Sequence, residues 1–460
     1  MTERLVVVGG DAAGMTAASQ ARRRRGGNEL EIVAFEKGNF VSYSACGIPY
    51  WIGGTVDDLE TLIARPPEVF RDRHDIDVRL RHEVTGIDIA AGKVAVRDHD
   101  SGTEKAESFD QLVIATGAVP VKPDLPGDDA AGIFGVQTLD DGVAVYRDLE
   151  AAEPRRAVVI GGGYIGLEMA EALVRRGLHV SLVEANPQPM GTLDPDMGAL
   201  VTDALRKADV EVFTGEAATG FESRGGRVTA LITSQRTIEA DIAVMGLGVR
   251  PNVALARDAG LAIGESGGIR VDRRMATSEP GVWAGGDCAE KFHRVAHRPV
   301  AIALGTHANK EGRTIGINIG GGYATFPGVI GTAVSKICDV EVARSGLTEK
   351  EAAEAGFAPL TATVDSTTRA SYFPGTAPIK TKLIVEKRSG RLLGGQIVGR
   401  EGAAKRIDTV AAAIWSGMTA DEAINLDLSY APPFSPLWDP VLIAARKAWQ
   451  LVEETQASCT

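Results

Sequence analysis

Two stretches of the chain are built to one plan: "RLVVVGGDAAGMTAASQARRR" at 4–24 and "RAVVIGGGYIGLEMAEALVRR" at 156–176. Each runs from an apolar strand through a glycine-rich turn into a helix, the opening of a βαβ unit. In the second, Gly161, Gly163 and Gly166 complete a G-x-G-x-x-G spacing. The strand "HVSLVEA" then brings Glu184 to the position, roughly 20 residues on, where an acidic side chain accepts bonds from a ribose. In the first, Gly9 and Gly14 hold the outer positions, Asp11 replaces the middle glycine, and the strand "LEIVAFEKG" carries Glu36 at its end. Glycines at these places let the backbone approach a pyrophosphate, whose charge is met by the helix N-terminus. A chain with two such units is constrained to an α/β architecture with two Rossmann-like dinucleotide-binding domains.

Other segments place those units relative to each other. "FDQLVIATGAVP" at 109–120, "ADIAVMGLGVRPN" at 240–252 and "VWAGGDCAE" at 282–290 read as strand endings with Gly-rich loops, so the second unit interrupts the first. Near residue 320 the texture changes: "VSKICDVEVARSGLT" and "PIKTKLIVEKRSGRLLGGQIVG" predict antiparallel strands rather than another βαβ unit. The expected domains are 1–118 with 249–322, 150–248, and a C-terminal α+β domain at 326–455. The closing stretch "LDLSYAPPFSPLWDPVLIAARKAW" is aromatic- and proline-rich, costly to leave in water, and predicts packing against a second subunit.

Composition excludes some partners. A net charge of −12 over 460 residues repels nucleic acid, so an anionic ligand must find a local basic patch. No run of ~18 apolar residues suggests a membrane span. "MTERLVVVGG" enters a strand without signal-peptide regions, and the expected compartment is the cytoplasm. Cys46, Cys288, Cys338 and Cys459 are too few and too scattered for a disulfide framework or a metal site, which suits a reducing compartment. Cys46, in "FVSYSACGIPYWIGG" at 40–54, has two readings from its own chemistry: a small buried hydrophobe, or a redox thiol at a helix N-terminus opened by "CGIPYW".

Taken in order, "VVVGGDAAG", "SYSACGIP", "VIATGA", "VVIGGGYIGLE", "VWAGGDCAE" and "YAPPFSPLWDP" resemble the FAD-dependent pyridine nucleotide-disulfide oxidoreductases. Within them the likeness is to the single-cysteine group that holds coenzyme A disulfide reductase, NADH oxidase and NADH peroxidase, and it spans essentially the whole chain. The resemblance implies FAD on the first unit, with Gly9 and Gly14 at the pyrophosphate and Glu36 at the adenosine ribose. Thr116 and Gly117 of "VIATGA" would belong to the cofactor site, and Asp287 to the ribityl and pyrophosphate region. It implies NADH on Gly161, Gly163, Gly166 and Glu184, and a homodimer. A carboxylate at Glu184 repels a 2′-phosphate, and "EANPQPM" offers no Arg or Lys to pair with one, so NADH is expected over NADPH.

The same resemblance makes Cys46 the redox residue. Electrons would pass from NADH through FAD to an oxidised Cys46, whose released thiolate attacks the next oxidised substrate. Peroxidase and oxidase members carry histidine where this chain has Ala12, which disfavours peroxide chemistry. Disulfide reductase members share the motifs "RASYFPG" and "LSYAPPFSP", whose tyrosines, here Tyr372 and Tyr430, reach the partner's active site and could donate to a leaving thiolate; interface packing is the alternative. Ser42 matches a family serine that contacts substrate, or else it is a helix cap. Ala45 departs from the asparagine that coenzyme A disulfide reductases place before the cysteine, and leaves the substrate open. Arg22 to Arg25 end the first helix, where family arginines approach coenzyme A phosphates; Arg22 is the candidate, against interaction with the helix C-terminal dipole.

His307 in "LGTHANKEGR" reads as structural, and Cys288, Cys338 and Cys459 as structural or incidental. The expected activity is NADH-dependent reduction of coenzyme A disulfide or related disulfides and persulfides. The alternatives are an NADH oxidase reducing oxygen, and a flavin and cysteine redox sensor or electron carrier. No rhodanese-like extension follows "ARKAWQLVEETQASCT", so sulfur transfer within the chain is not expected.

Overall fold

The computed structural model describes residues 2–458, so Cys459 lies outside the described residues. Strand β1 (Glu3–Val8) leads through the first glycine turn into helix α1 (Ala12–Arg22) and strand β2 (Leu30–Phe35). β1 and β2 pair in parallel from Glu3 and Leu30 to Val8 and Phe35, and the run of buried Leu, Val and Ile side chains suits strands covered on both faces. The sheet runs Val282–Ala284, Gln111–Ile114, β1, β2, Asp77–Arg79. Its strand Val282–Ala284 comes from chain that has already passed through the second unit, as the interrupted motif order predicts.

The second unit repeats the design with β3 (Arg156–Ile160), α2 (Tyr164–Arg175) and β4 (His179–Glu184). Its parallel sheet runs Val210–Thr214, β4, β3, Ile242–Met245, Ile133–Gly135. The edge strand Ile133–Gly135 and the helix Leu139–Ala152 begin before residue 150, so this unit reaches further toward the N-terminus than 150–248. A three-residue strand is too short for periodicity to reveal. Ala118–Pro120 and Val249–Pro251 pair antiparallel where the chain enters and leaves the unit.

The C-terminal domain opens with the hairpin β5 (Ala333–Ile337) and β6 (Val340–Gly346). Its antiparallel sheet continues through Leu392–Gly399, Pro378–Glu386 and Pro359–Thr367, with Ile384, Leu393, Ile397 and Val452 in its core. Buried polar contacts tie this domain to the second unit, among them Gln396 Nε2 donating to Asp194 at 2.8 Å. Lys382 Nζ lies 3.1 Å from Asp194 and 2.8 Å from Asp196, and the β5–β6 hairpin lies on α2. Among the described residues no helix is long and apolar enough to cross a membrane.

Candidate active site

The glycines of both turns are required by close backbone approach. A Cβ on Gly9, at φ +107°, would lie 2.2 Å from the Ala115 carbonyl oxygen, and one on Gly14 would lie 2.0 Å from that of Gly9. In the second turn the matching distances are 2.4 Å from Gly161 to Gly246 O and 2.0 Å from Gly166 to Gly161 O. Gly163 differs, because a Cβ there would meet nothing within 4 Å. Protein packing does not demand a glycine at that point; an open approach to the N-terminus of α2 is what a pyrophosphate needs.

The two acidic residues are held alike. Glu36 accepts from Gly10 N and Gly38 N, both at 2.8 Å. Buried Glu184 accepts from Gly162 N at 2.6 Å and from Asn186 N at 2.7 Å. Each carboxylate is therefore fixed against its own glycine turn with lone pairs to spare.

FAD fits the first unit on three observations. The turn is a cradle that a Cβ would fill. A cavity of about 240 Å³ adjoins Glu36, lined by Phe40, Tyr43, Thr138 and Asp140 among others. Asp287 Oδ1 is buried without a partner, as suits an acceptor for a polyol hydroxyl. Burial raises the Asp287 carboxyl, and Lys291 opposes that rise. Thr116 and Gly117 lie where the chain leaves the first unit: Thr116 Oγ1 donates to Asn252 O at 2.7 Å, and Asn252 N donates to Gly117 O at 2.9 Å. The threonine hydroxyl thus joins the two linkers.

The loop bearing Cys46 is anchored on the first glycine turn. Ser42 N donates to Gly10 O at 2.9 Å, and Tyr43 N to Asp11 Oδ1 at 3.3 Å. Ser42 adopts φ +50°, a left-handed conformation that costs a non-glycine residue about 1–3 kcal/mol. It is not a helix cap, since the residue before the short Ala45–Gly47 turn is Ser44. Asp11, which as a sequence feature only breaks the glycine pattern, couples turn and loop. Burial raises its carboxyl to about 6, with Glu36 and Asp287 adding to the rise.

Cys46 is exposed. The helix after it, Ile48–Ile52, has five residues and begins two positions later, so its dipole is weak support. The thiolate expected from that dipole is not favoured by the protein. Desolvation in the cleft raises the thiol, and the Glu168, Asp11 and Asp287 carboxylates raise it further. Glu168 and Glu171 on α2 were not singled out from sequence; the signal was Glu168 closing "GYIGLE". Burial, and then Glu171, raise the Glu168 carboxyl, while Ser335 opposes them.

Arg22 is not free for substrate. Its guanidinium donates to His74 O at 3.1 Å, Arg25 O at 3.2 Å and Asp75 O at 2.8 Å, and its side chain is 9 % exposed. Backbone carbonyls at the end of Pro67–His74 claim it, a tertiary contact with no local sequence signature. Exposed basic groups remain beside it: Arg23, Arg65 and Arg73 surround His74 and, after burial, depress its pKa. The backbone there adjoins the cysteine loop, with Ala64 N donating to Ser42 O at 2.8 Å.

Tyr372 and Tyr430 lie within electrostatic reach of each other and are 75 % and 45 % exposed, and Phe434, Leu437 and Trp438 are exposed as well. His307 is buried, its Nδ1 has no partner, and burial lowers its pKa to about 4. Cys288 is fully buried and donates to Gly285 O at 3.3 Å. Cys338 sits at φ +53° in the tip of the β5–β6 hairpin.

Two dinucleotide units, one inserted in the other, with an exposed thiol on a loop tied to the first turn, define a nucleotide-dependent flavoprotein oxidoreductase. Residues 3–312 match the pyridine nucleotide-disulphide oxidoreductases and residues 332–440 match the dimerisation domain of that family. The chain belongs to this family. It is 40 % identical over 445 residues to the CoA-dependent NAD(P)H sulfur oxidoreductase of Pyrococcus furiosus, covering 96 % of this chain and 98 % of that protein. It is 29 % identical over 446 residues to the coenzyme A disulfide reductase of Staphylococcus aureus, covering 97 % and 99 %. The solved structure of an NAD-dependent persulfide reductase from A. fulgidus superposes with a TM-score of 0.94 at 39 % identity, covering 98 % of this chain and 84 % of that one.

Proposed function

We propose that this protein uses NADH to reduce coenzyme A disulfide, or a related low-molecular-weight disulfide or persulfide, through Cys46. The observation that carries the reading is that Cys46 is exposed and, among the described residues, no cysteine is paired with it. The second sulfur then arrives with the substrate. Arg23, Arg65 and Arg73 support a polyanionic substrate, because they gather positive charge beside the cysteine loop on a chain of net charge −12.

FAD, held by Gly9, Gly14, Glu36 and Asp287, would supply two-electron transfer between nicotinamide and sulfur. Cys46 as thiolate attacks one sulfur of the substrate. An S–S bond forms to Cys46 and a thiolate leaves, taking a proton. Delivery of two electrons to this mixed disulfide breaks it, frees the second thiol and restores Cys46. Ser42 backs the loop from the first glycine turn. Tyr372 and Tyr430 are the hydroxyls we assign to the leaving thiolate in a homodimer, where a second copy would cover their aromatic surface. Glu184 favours NADH through the ribose hydroxyls and disfavours a 2′-phosphate. The free cysteines support a reducing, cytoplasmic setting.

The test is anaerobic reduction with NADH followed by stoichiometric coenzyme A disulfide, coenzyme A persulfide or oxygen, with flavin absorbance recorded. Rapid reoxidation by a sulfur substrate supports the reading, and rapid reoxidation by oxygen alone refutes it. Cys46→Ser should keep reduction by NADH and lose disulfide turnover. Retained turnover in that variant would sink the mechanism.

A further inference from the structure

The charge around Cys46 comes from three elements. Glu168 acts on the thiol from α2, Asp11 from the first glycine turn and Asp287 from the loop after Val282–Ala284. Tyr50, on the short helix, also interacts with Cys46, and Arg175 lines the same small cleft as Tyr50, Glu168 and Glu171. Tyr164 stands one turn before Glu168 and also feels its charge.

Glu168 is held by a different domain. Ser335 Oγ, on β5, donates to Glu168 Oε1 at 2.8 Å, and Ser335 is 7 % exposed. One turn along α2, Glu171 Oε2 accepts from Cys338 N at 2.7 Å, at the tip of the same hairpin, with Lys336 beside Cys338. One hairpin of the C-terminal domain therefore grips two neighbouring carboxylates of the nucleotide helix. Two acids this close repel each other, and burial adds to the cost of ionising them; a hydroxyl donating to the anion offsets both.

We infer that Ser335 is a positioning residue for Cys46: its hydroxyl holds Glu168 in place as an anion near the sulfur. The inference rests on the reading of Cys46 as the redox thiol. The C-terminal domain, through one buried serine, then sets the negative charge against which the thiolate forms. Such a charge lowers the resting thiolate population and leaves the thiolate, once formed, more nucleophilic.

The experiment is alkylation of Cys46 by iodoacetamide in the NADH-reduced holoenzyme, followed by mass spectrometry across neutral and alkaline pH. Glu168→Gln should move the alkylation midpoint to lower pH. Ser335→Ala, by freeing the Glu168 carboxylate to leave its place near the sulfur, should move it the same way by about half a pH unit, a roughly threefold larger thiolate population below the midpoint. Ser335→Thr should restore the wild-type profile. Adding Ser335→Ala to Glu168→Gln should change nothing more.

An unmoved midpoint in Ser335→Ala, or a shift of the same size when Ser335→Ala is added to the Glu168→Gln variant, overturns the inference. Where Ser335→Ala loses its flavin, the near-isosteric pair Ser335→Val and Ser335→Thr decides: the first must shift the midpoint and the second must not, and an unmoved midpoint in Ser335→Val overturns the inference. Alkylation needs no disulfide acceptor, so disulfide turnover surviving Cys46→Ser refutes the function, whereas an unmoved midpoint refutes only the role of Ser335.

Discussion

Replacing Glu184 by glutamine should collapse the preference for NADH that we propose. The side chain is 8 % exposed and accepts from the N–H groups of Gly162 at 2.6 Å and Asn186 at 2.7 Å on its two oxygens. Glutamine therefore keeps the volume and loses the charge but retains an acceptor for only one side, a loss common to both nucleotides. A unit negative charge about 4 Å from a carboxylate costs about 4 kcal/mol at an effective dielectric of about 20. Solvent at the mouth of the site screens this, and about half of it, roughly 2 kcal/mol, is a reasonable share for a 2′-phosphate to regain in the variant. With NADH the variant exchanges a charge-assisted bond to the ribose for a neutral one, a loss of about 1 kcal/mol. The two changes act in opposite directions on the two nucleotides. The ratio of kcat/KM for NADH over NADPH should therefore fall by about 3 kcal/mol, roughly two orders of magnitude. The assay is steady-state turnover with both nucleotides at equal flavin occupancy and a saturating sulfur acceptor. A wild type that prefers NADPH, or a variant whose ratio stays within about threefold of wild type, a change under about 1 kcal/mol, would refute the reasoning.

Lys382 joins the C-terminal domain to the second unit through Asp194 and Asp196, and its side chain and that of Asp194 are each 5 % exposed. Lys382→Met leaves a buried carboxylate without its cation; thermal unfolding should show a loss near the lower end of about 3–5 kcal/mol, because Gln396 still donates to Asp194. Asp11 has a folded pKa raised from 3.8 to about 6, so between those values the folded state holds a proton that the unfolded chain has released. Stability should then fall as pH rises through that window, and Asp11→Asn should flatten the slope in melting curves. A slope that survives the substitution would place its origin elsewhere.

The glycine turns, both acidic strand ends and the change from parallel to antiparallel texture were legible because each is a local pattern. Gly9 and Gly14 meet backbone only a few residues away or on the neighbouring strand, and no larger residue fits. The loop that carries Asp287 was likewise legible, although the orphaned Oδ1 was not. The arginine run shows where such reading stops: four adjacent residues have one local description, yet Arg22 is consumed by carbonyls of His74 and Asp75 while Arg23 stays exposed. The strand Ile133–Gly135 escaped because three residues have no period.

What the sequence by itself determined is the pair of nucleotide units, their order, and the presence of one thiol in a glycine- and aromatic-rich loop. Backbone conformation within a turn depends on residues a few positions apart, so these features are written locally. The tertiary structure decided the electrostatics of that thiol. The Cys46 thiol is raised by burial and then by Glu168, Asp11 and Asp287, and Glu168 accepts a hydrogen bond from Ser335, residues brought together only when three domains close around the cleft. Charge acts through space and burial, not along the chain, so neither the direction of the Cys46 shift nor the basic group around His74 could be read before the fold was known.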